Sequence, residues 1–289
     1  MKLGIVAHDA GAANHIFAWL KGGLIAVDAV EFAVAGPALT MLNQHIPGCV
    51  NHRPADLVTR IDQLLTGTSW PNPFEWQARQ LAADSGIKSI AVLDHWTHYP
   101  QRFINNHKQQ LPDELWVADH YAQTLAQQFF PDTLITLQPN YFLQQQVAEI
   151  KRYQTGMSTN PILFVMEPVP ATWPNQTIPG ELQALEYFLR YRHRLGLECQ
   201  KTIVIRPHPA DAPGKYAGLQ NGYGDNVLII DTQSSLSQAI ARADWVVGCQ
   251  TYAMVVALAA GKRVVCAMPD TAPPCVLPHS DIIHLRTLS

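Results

Sequence analysis

Arg206-Pro207-His208-Pro209 sets a guanidinium and an imidazole two positions apart, each followed by a proline. Proline fixes its own φ, lacks an N–H, and drives the preceding residue toward extended backbone. His208 is such a preceding residue, so its turn is stiff. The motif ends the apolar run Thr202-Ile203-Val204-Ile205, which reads as a fully buried strand. Open α/β sheets bind ligands in loops at the carboxyl ends of such strands. Arg206 and His208 placed there suit an anion, and phosphate above all.

Two further loops of the second half have the same character. Asp231-Thr232-Gln233-Ser234-Ser235 follows the apolar run Val227–Ile230, and Gly248-Cys249-Gln250-Thr251 follows Trp245-Val246-Val247. Ser234, Ser235 and Thr251 each suit the N-cap of a following helix. Free N–H groups and the dipole at such a helix end attract phosphate. Arg206, His208, Ser234, Ser235, Gln250 and Thr251 are therefore the expected contacts of a diphosphate or nucleotide. In the first half, His8, Asp9 and Gly11 follow the first strand, and Asp94, His95 and His98 follow Leu93. Asp9, Asp94 and His95 are candidate general bases toward a hydroxyl. Asp9 also suits a helix N-cap, and His95 and His98 also suit the polar surroundings of a packed Trp96.

The elements that must position these residues repeat one unit: short apolar strand, polar turn, amphipathic helix. Strands are expected at Leu3–Ala7, Val30–Ala35, Ser89–Leu93, Glu114–Ala118 and Ile135–Leu137. The rhythm loosens over 138–160, which reads as a connector with a polar, helix-like middle. It resumes with strands at Ile162–Met166, Thr202–Ile205, Val227–Ile230, Trp245–Val247 and Arg263–Ala267, and a last one near Ile282–Leu285. Helices fall between them, at Ala12–Leu20, Phe74–Asp84, His120–Phe129, within Gly180–Gly196, at Ser235–Arg242 and at Tyr252–Ala260. Such alternation with near-continuous apolar strands means parallel sheets covered on both faces. The expected fold is α/β: two Rossmann-like domains, 1–150 and 151–289, with parallel sheets facing across a cleft. One continuous sheet is the alternative.

Composition narrows the function. The net charge is −3 and the basic residues are scattered, so no nucleic-acid partner is expected. Five distant cysteines without C-x-x-C read as reduced thiols, which points to a cytoplasmic protein. His8 and Asp9 interrupt the apolar N-terminus too early for a signal peptide. The uncharged stretch Trp245–Gly261 is broken by a strand-to-helix turn, so no membrane span is expected. There is no G-x-G-x-x-G, which disfavours a dinucleotide dehydrogenase, and there is no P-loop and no G-x-S-x-G elbow. No H-x-x-x-H helix or His/Cys cluster calls for a metal.

The second half resembles the donor-binding domain of GT-B glycosyltransferases. Ala243-Asp244-Trp245-Val246-Val247-Gly248, then Thr251, then Ala257 through Val265, is similar to the last βαβ segment of that family. Ile205-Arg206-Pro207-His208-Pro209 resembles the strand-end His-Pro motif of bacterial sialyltransferases, Kdo transferases and CDP-glycerol glycerophosphotransferases. The likeness covers about residues 160–268. It implies that His208 meets the phosphates of a CDP/CMP-type or other nucleotide-sugar donor, with Arg206, Ser234 and Ser235 beside it. It further implies a donor domain at 151–289, an acceptor domain at 1–150, and a glycan acceptor in surface polysaccharide synthesis. No metal or other cofactor is then expected. The match is incomplete. Val256 stands where UDP-sugar enzymes carry a ribose-binding Glu, and Asp9-Ala10-Gly11 keeps only part of the sialyltransferase double-acid-Gly motif. The long C-terminal crossing helices are missing, which implies a compact variant or lost activity. A sugar-nucleotide epimerase or hydrolase on this fold is the second reading, and a non-catalytic glycan- or partner-binding relative the third. Composition and motifs leave the oligomeric state open.

Overall fold

A computed structural model describes residues 1–154, 162–169, 173, 177–197, 202–221 and 224–289. The expected connector residues Thr155–Asn160, and Cys199, lie outside the described residues. The chain divides into two compact units, Met1–Phe142 and Leu143–Ser289.

The first unit runs β1 (Lys2–Ala7), α1 (Ala10–Lys21), β2 (Ala29–Val34), α2 (Gly36–His45), α3 (Pro54–Leu57), β3 (Gln63–Thr66), α4 (Phe74–Asp84) and β4 (Lys88–Leu93). A small antiparallel hairpin follows, β5 (Ile104–Asn105) and β6 (Lys108–Gln109), then β7 (Glu114–Val117), α5 (His120–Phe129) and β8 (Leu134–Leu137). Helix α6 (Tyr141–Tyr153) carries the chain into the second unit. That unit holds β9 (Ile162–Val165), α7 (Gly180–Tyr191), β10 (Thr202–Arg206), β11 (Val227–Ile230), α8 (Leu236–Arg242), β12 (Trp245–Gly248), α9 (Tyr252–Ala259), β13 (Arg263–Cys266) and β14 (Ile283–His284).

Each unit is built on a six-stranded sheet, ordered β2-β1-β3-β4-β7-β8 in the first and β11-β10-β9-β12-β13-β14 in the second. All pairings within both sheets are parallel. The second sheet thus runs third, second, first, fourth, fifth, sixth, the Rossmann order, with its direction reversing between β9 and β12. In the first sheet the reversal falls between β1 and β3. A lone parallel bridge from Phe32 to Asn51 continues that sheet beyond β2. Both units are Rossmann-like, as the alternation of apolar runs and helices predicts.

The strands are apolar because both faces are covered. Ile5, Phe32, Val34, Leu65 and Val92 pack with Ile16, Phe17 and Trp19 of α1 on one face of the first sheet. Val6, Ala33 and Leu64 pack with Leu57, Ala78 and Ala82 on the other. In the second unit Ile162–Val165 is buried throughout. The uncharged stretch Trp245–Gly261 resolves into β12 and α9. The latter ends in Gly261 at φ 78° with a Lys262 N–H bond back to Ala257 O. Among the described residues no helix is long and apolar enough to cross a membrane.

The sequence pattern misses β3, α2 and α3. Strand β3 offers only two buried leucines between polar neighbours, and α2 and α3 bury few residues. The helix-like middle of the connector is α6, a Gln-rich helix in which only Ile150 is fully buried. Its polarity hid the helical period.

Close approach explains Gly11 in the first turn of α1. A Cβ there would lie 1.7 Å from Asp94 Oδ2. Gly11→Ala should destabilise the protein by about 1–3 kcal/mol through overpacking. A lowered urea midpoint with unchanged slope is the expected result.

Candidate functional site

Parallel strands deliver their exit loops to one edge of a sheet. In the second unit the order β11-β10-β9-β12 brings together the loops after Ile230, Arg206, Val165 and Gly248. Arg206, the last residue of β10, donates from Nη1 to the carbonyl oxygen of Ser234 at 2.6 Å. Asp231 Oδ1 accepts the N–H groups of Gln233 and Ser234, closing the same loop. Burial lowers the Arg206 pKa, and nearby Asp231 opposes that shift.

His208 follows in a locally braced turn. Its N–H donates to Asp211 Oδ2 at 2.8 Å, and its Nδ1 accepts the Ala210 N–H at 3.1 Å. An imidazole whose Nδ1 accepts carries its proton on Nε2. The Pro-flanked ring therefore keeps its Nε2–H as a donor. Partial burial lowers its pKa, which favours the neutral ring. Asp211 is fixed in turn by Lys215 Nζ at 2.7 Å and Tyr216 OH at 3.0 Å, and Lys215 also reaches buried Glu181 at 2.7 Å. Beside this turn lies a pocket of about 440 Å³, lined by Pro207, Lys215, Tyr216, Ile230 and Thr232 among others.

The remaining expected contacts differ in availability. Ser235 forms a capping box with Gln238, and Ser234 Oγ accepts from Arg242 Nη1, so both hydroxyls are engaged by α8. Thr251 is the N-cap of α9 with no side-chain capping bond. Gln250 gives its N–H to Glu167 Oε2 at 2.9 Å and accepts the Val276 N–H on its amide oxygen. Glu167, just past β9, escaped the sequence reading. Its signal was its place after the apolar run Ile162–Met166. Burial raises its pKa. Val256 is buried in α9.

In the first unit the loops after β1, β3 and β4 share an edge. Asp9 is the N-cap of α1 but makes no capping bond. Its half-exposed carboxylate instead accepts from His8 Nδ1 at 2.6 Å, and His8 Nε2 accepts from Asn72 Nδ2 at 3.0 Å. The His8 backbone N–H donates to buried Glu75, which also bonds Ser69 Oγ. Burial raises the Glu75 pKa. Gly36, at φ 52°, leaves room for the His8 ring, since a Cβ there would lie 2.7 Å from Nε2.

Asp94 accepts from Arg102 Nη1 at 3.1 Å in a largely buried pair. Arg102 further donates to Thr68 O at 2.8 Å and Thr97 O at 3.0 Å. His95 is mostly buried, bonds Thr97 Oγ1 through Nδ1, and has its pKa lowered by desolvation. Asp9 is thus the candidate base with a carboxylate open to solvent, while Asp94 and His95 are held inside. Asn72, Glu75, Arg79 and Arg102 were not singled out from sequence, because their partners lie on other elements. Arg79, fully buried, donates to Thr66 Oγ1 and Gly67 O at 2.9 Å, and its pKa falls to about 10 through desolvation. No group of three or more metal-ligating side chains is assembled among the described residues.

No family model and no curated protein matches this sequence. Solved structures do match. A UDP-GlcNAc 2-epimerase from Methanocaldococcus jannaschii superposes with a TM-score of 0.63 at 9% identity, covering 92% of this chain and 83% of its own. The fold is of the GT-B type. The UDP-GlcNAc-bound 2-epimerase of Neisseria meningitidis gives 0.58 at 11% identity, over 94% of this chain and 84% of that one. MurG of Acinetobacter baumannii gives 0.53 at 11%, over 100% and 87%. At these identities the likeness is one of fold.

Glu75 supplies a test of the first edge. Its raised pKa means the fold favours the protonated acid. That stability is present below the ordinary value of 4.5 and is lost as pH rises through the raised one. Glu75→Gln, neutral throughout, should flatten the pH dependence of unfolding free energy just above pH 4.5.

Proposed function

We propose that this protein is a GT-B-like transferase. It moves a sugar or polyol phosphate from a nucleotide-activated donor to a glycan acceptor, in surface polysaccharide synthesis in the cytoplasm. The observation that carries the reading is the Nε2–H that His208 keeps as a donor just past the end of β10, its Nδ1 being taken by the Ala210 N–H. Arg206 stands in the same loop, and the N-terminus of α9 lies on the same sheet edge. These groups are hydrogen-bond donors or positive ends, which suits the phosphates of the donor. Stabilising charge as it develops on the leaving phosphate is the largest service such donors give, and no metal is required for it. The ligand of the Neisseria meningitidis relative, UDP-GlcNAc, makes UDP-sugars a donor class to test beside CDP- and CMP-activated ones.

On the acceptor unit, Asp9 takes the proton of the attacking hydroxyl. His8 donates to Asp9 and is itself oriented by Asn72, so the carboxylate is aimed before any acceptor arrives. Asp94 and His95 then act behind Asp9, shaping the loop. A sugar-nucleotide epimerase is the second reading, favoured by the superposition on the 2-epimerases across most of the chain. Product analysis without acceptor separates the two: an epimer or free sugar speaks for the second.

Calorimetry with CMP, CDP, UDP and GDP should show binding by at least one nucleotide, weakened about tenfold or more in His208→Ala by loss of a charge-assisted bond. Because burial lowers the His208 pKa in the free protein, a sugar nucleotide should bind more tightly as pH falls below 6.5. That slope should vanish in the variant. Absence of binding by every nucleotide, or equal binding by the variant, removes the assignment. Asp9→Asn should lower kcat by about a hundredfold or more, the usual contribution of a general base, with nucleotide affinity unchanged.

A further inference from the structure

The first unit carries an aromatic feature that neither the donor site nor the proton transfer uses. Trp70, in the loop after β3, is 45% exposed. His98, in the loop after β4, stacks on it with ring centroids 4.4 Å apart and planes 22° from parallel. His98 adopts φ 58°, a left-handed conformation that a non-glycine residue holds only under local constraint.

That constraint is visible. Arg102 donates from its side chain to Thr68 O, two residues before Trp70, and to Thr97 O, one residue before His98. Its backbone N–H donates to His98 O at 3.0 Å. One buried guanidinium therefore clamps both ring-bearing loops, and Asp94 fixes the guanidinium. On either side of Trp70 the loop is pinned, by Ser69 to Glu75 and by Asn72 to His8 and to the Phe74 N–H. The indole of Trp70 and the imidazole of His98 are left exposed to solvent. A large apolar ring held rigidly in water, on a scaffold of buried polar bonds, is a preorganised surface for a ligand.

The surroundings select the ligand. Asn72 leads from the Trp70 loop to His8, and His8 to the open Asp9 carboxylate. An aromatic face on the edge that also carries the open Asp9 carboxylate matches a pyranose, which has an apolar C–H face and a rim of hydroxyls. The Asp9 carboxylate repels a phosphate, which disfavours a nucleotide on this edge. We propose that the Trp70–His98 stack, locked by Arg102, is a carbohydrate platform that seats a sugar ring of the acceptor beside Asp9. The acceptor role rests on the transfer reaction proposed above, whereas sugar stacking on Trp70 does not.

The test is saturation-transfer NMR on the full chain without nucleotide. The probes are methyl β-D-glucoside, methyl β-D-galactoside and methyl N-acetyl-β-D-glucosaminide, with uridine as a stacking control. At least one glycoside should receive saturation on its ring C–H protons in the wild type, in Trp70→Phe and in His208→Ala. In Trp70→Ala the transfer should drop about fivefold, the scale of one lost aromatic contact. Transfer to no glycoside, equal transfer in Trp70→Ala, or transfer to uridine alone overturns the platform. Since His208→Ala tests the donor site separately, failure of either assignment is seen without the other.

Discussion

Parallel strand pairing is the constraint on which everything else here depends. A strand that pairs parallel with its neighbour must be reached by a crossover, so every exit loop lands on the same edge. In the second unit that places Arg206, Asp231, Glu167 and Gln250, which come from four separated segments, along one edge. In the first it gathers His8, Ser69, Trp70 and Asp94 in the same way. Without the crossovers these would be scattered polar residues at the ends of apolar runs.

The loops themselves are held by buried polar bonds. Each unit has a hub: Arg102 with Asp94 in the first, and Lys215 with Glu181 and Asp211 in the second. Burying such groups is costly, and an ion pair of this kind is weak evidence for net stability. What it supplies is position. Arg102 bonds carbonyl oxygens on two different loops, and Asp211 fixes the backbone of His208. Rigid loops on a rigid sheet allow side chains to wait for a ligand in place, which is where binding and catalysis gain most from preorganisation.

The two edges carry different chemistry. The second presents a guanidinium, an imidazole N–H and a helix N-terminus. The first presents an open carboxylate, an imidazole–amide pair and an aromatic face. Donors of positive potential on one unit and an open carboxylate on the other give the two edges opposite electrostatic character. GT-B-type superposition supports the scaffold, while the chemistry of each edge rests on the residues named.

Much of the scaffold was legible in the sequence. Strands buried on both faces must be nearly uniform in apolar residues, so β1, β4, β9, β10, β12 and β13 announce themselves. The Pro-flanked His208 turn could be read too, because its stiffness is covalent and local. Short or weakly buried elements such as β3 and α2 leave no such signal. By itself the sequence determined the alternation, the parallel class, and which residues stand at strand ends. Only the tertiary structure decided which of them are available. Ser234 and Ser235 are engaged by the helix that follows them, Asp94 is paired, Asp9 stays open, and Glu167, Asn72 and Arg102 enter the sites. Hydrogen bonds between residues tens of positions apart set those roles, and no local pattern records a partner that only folding brings near.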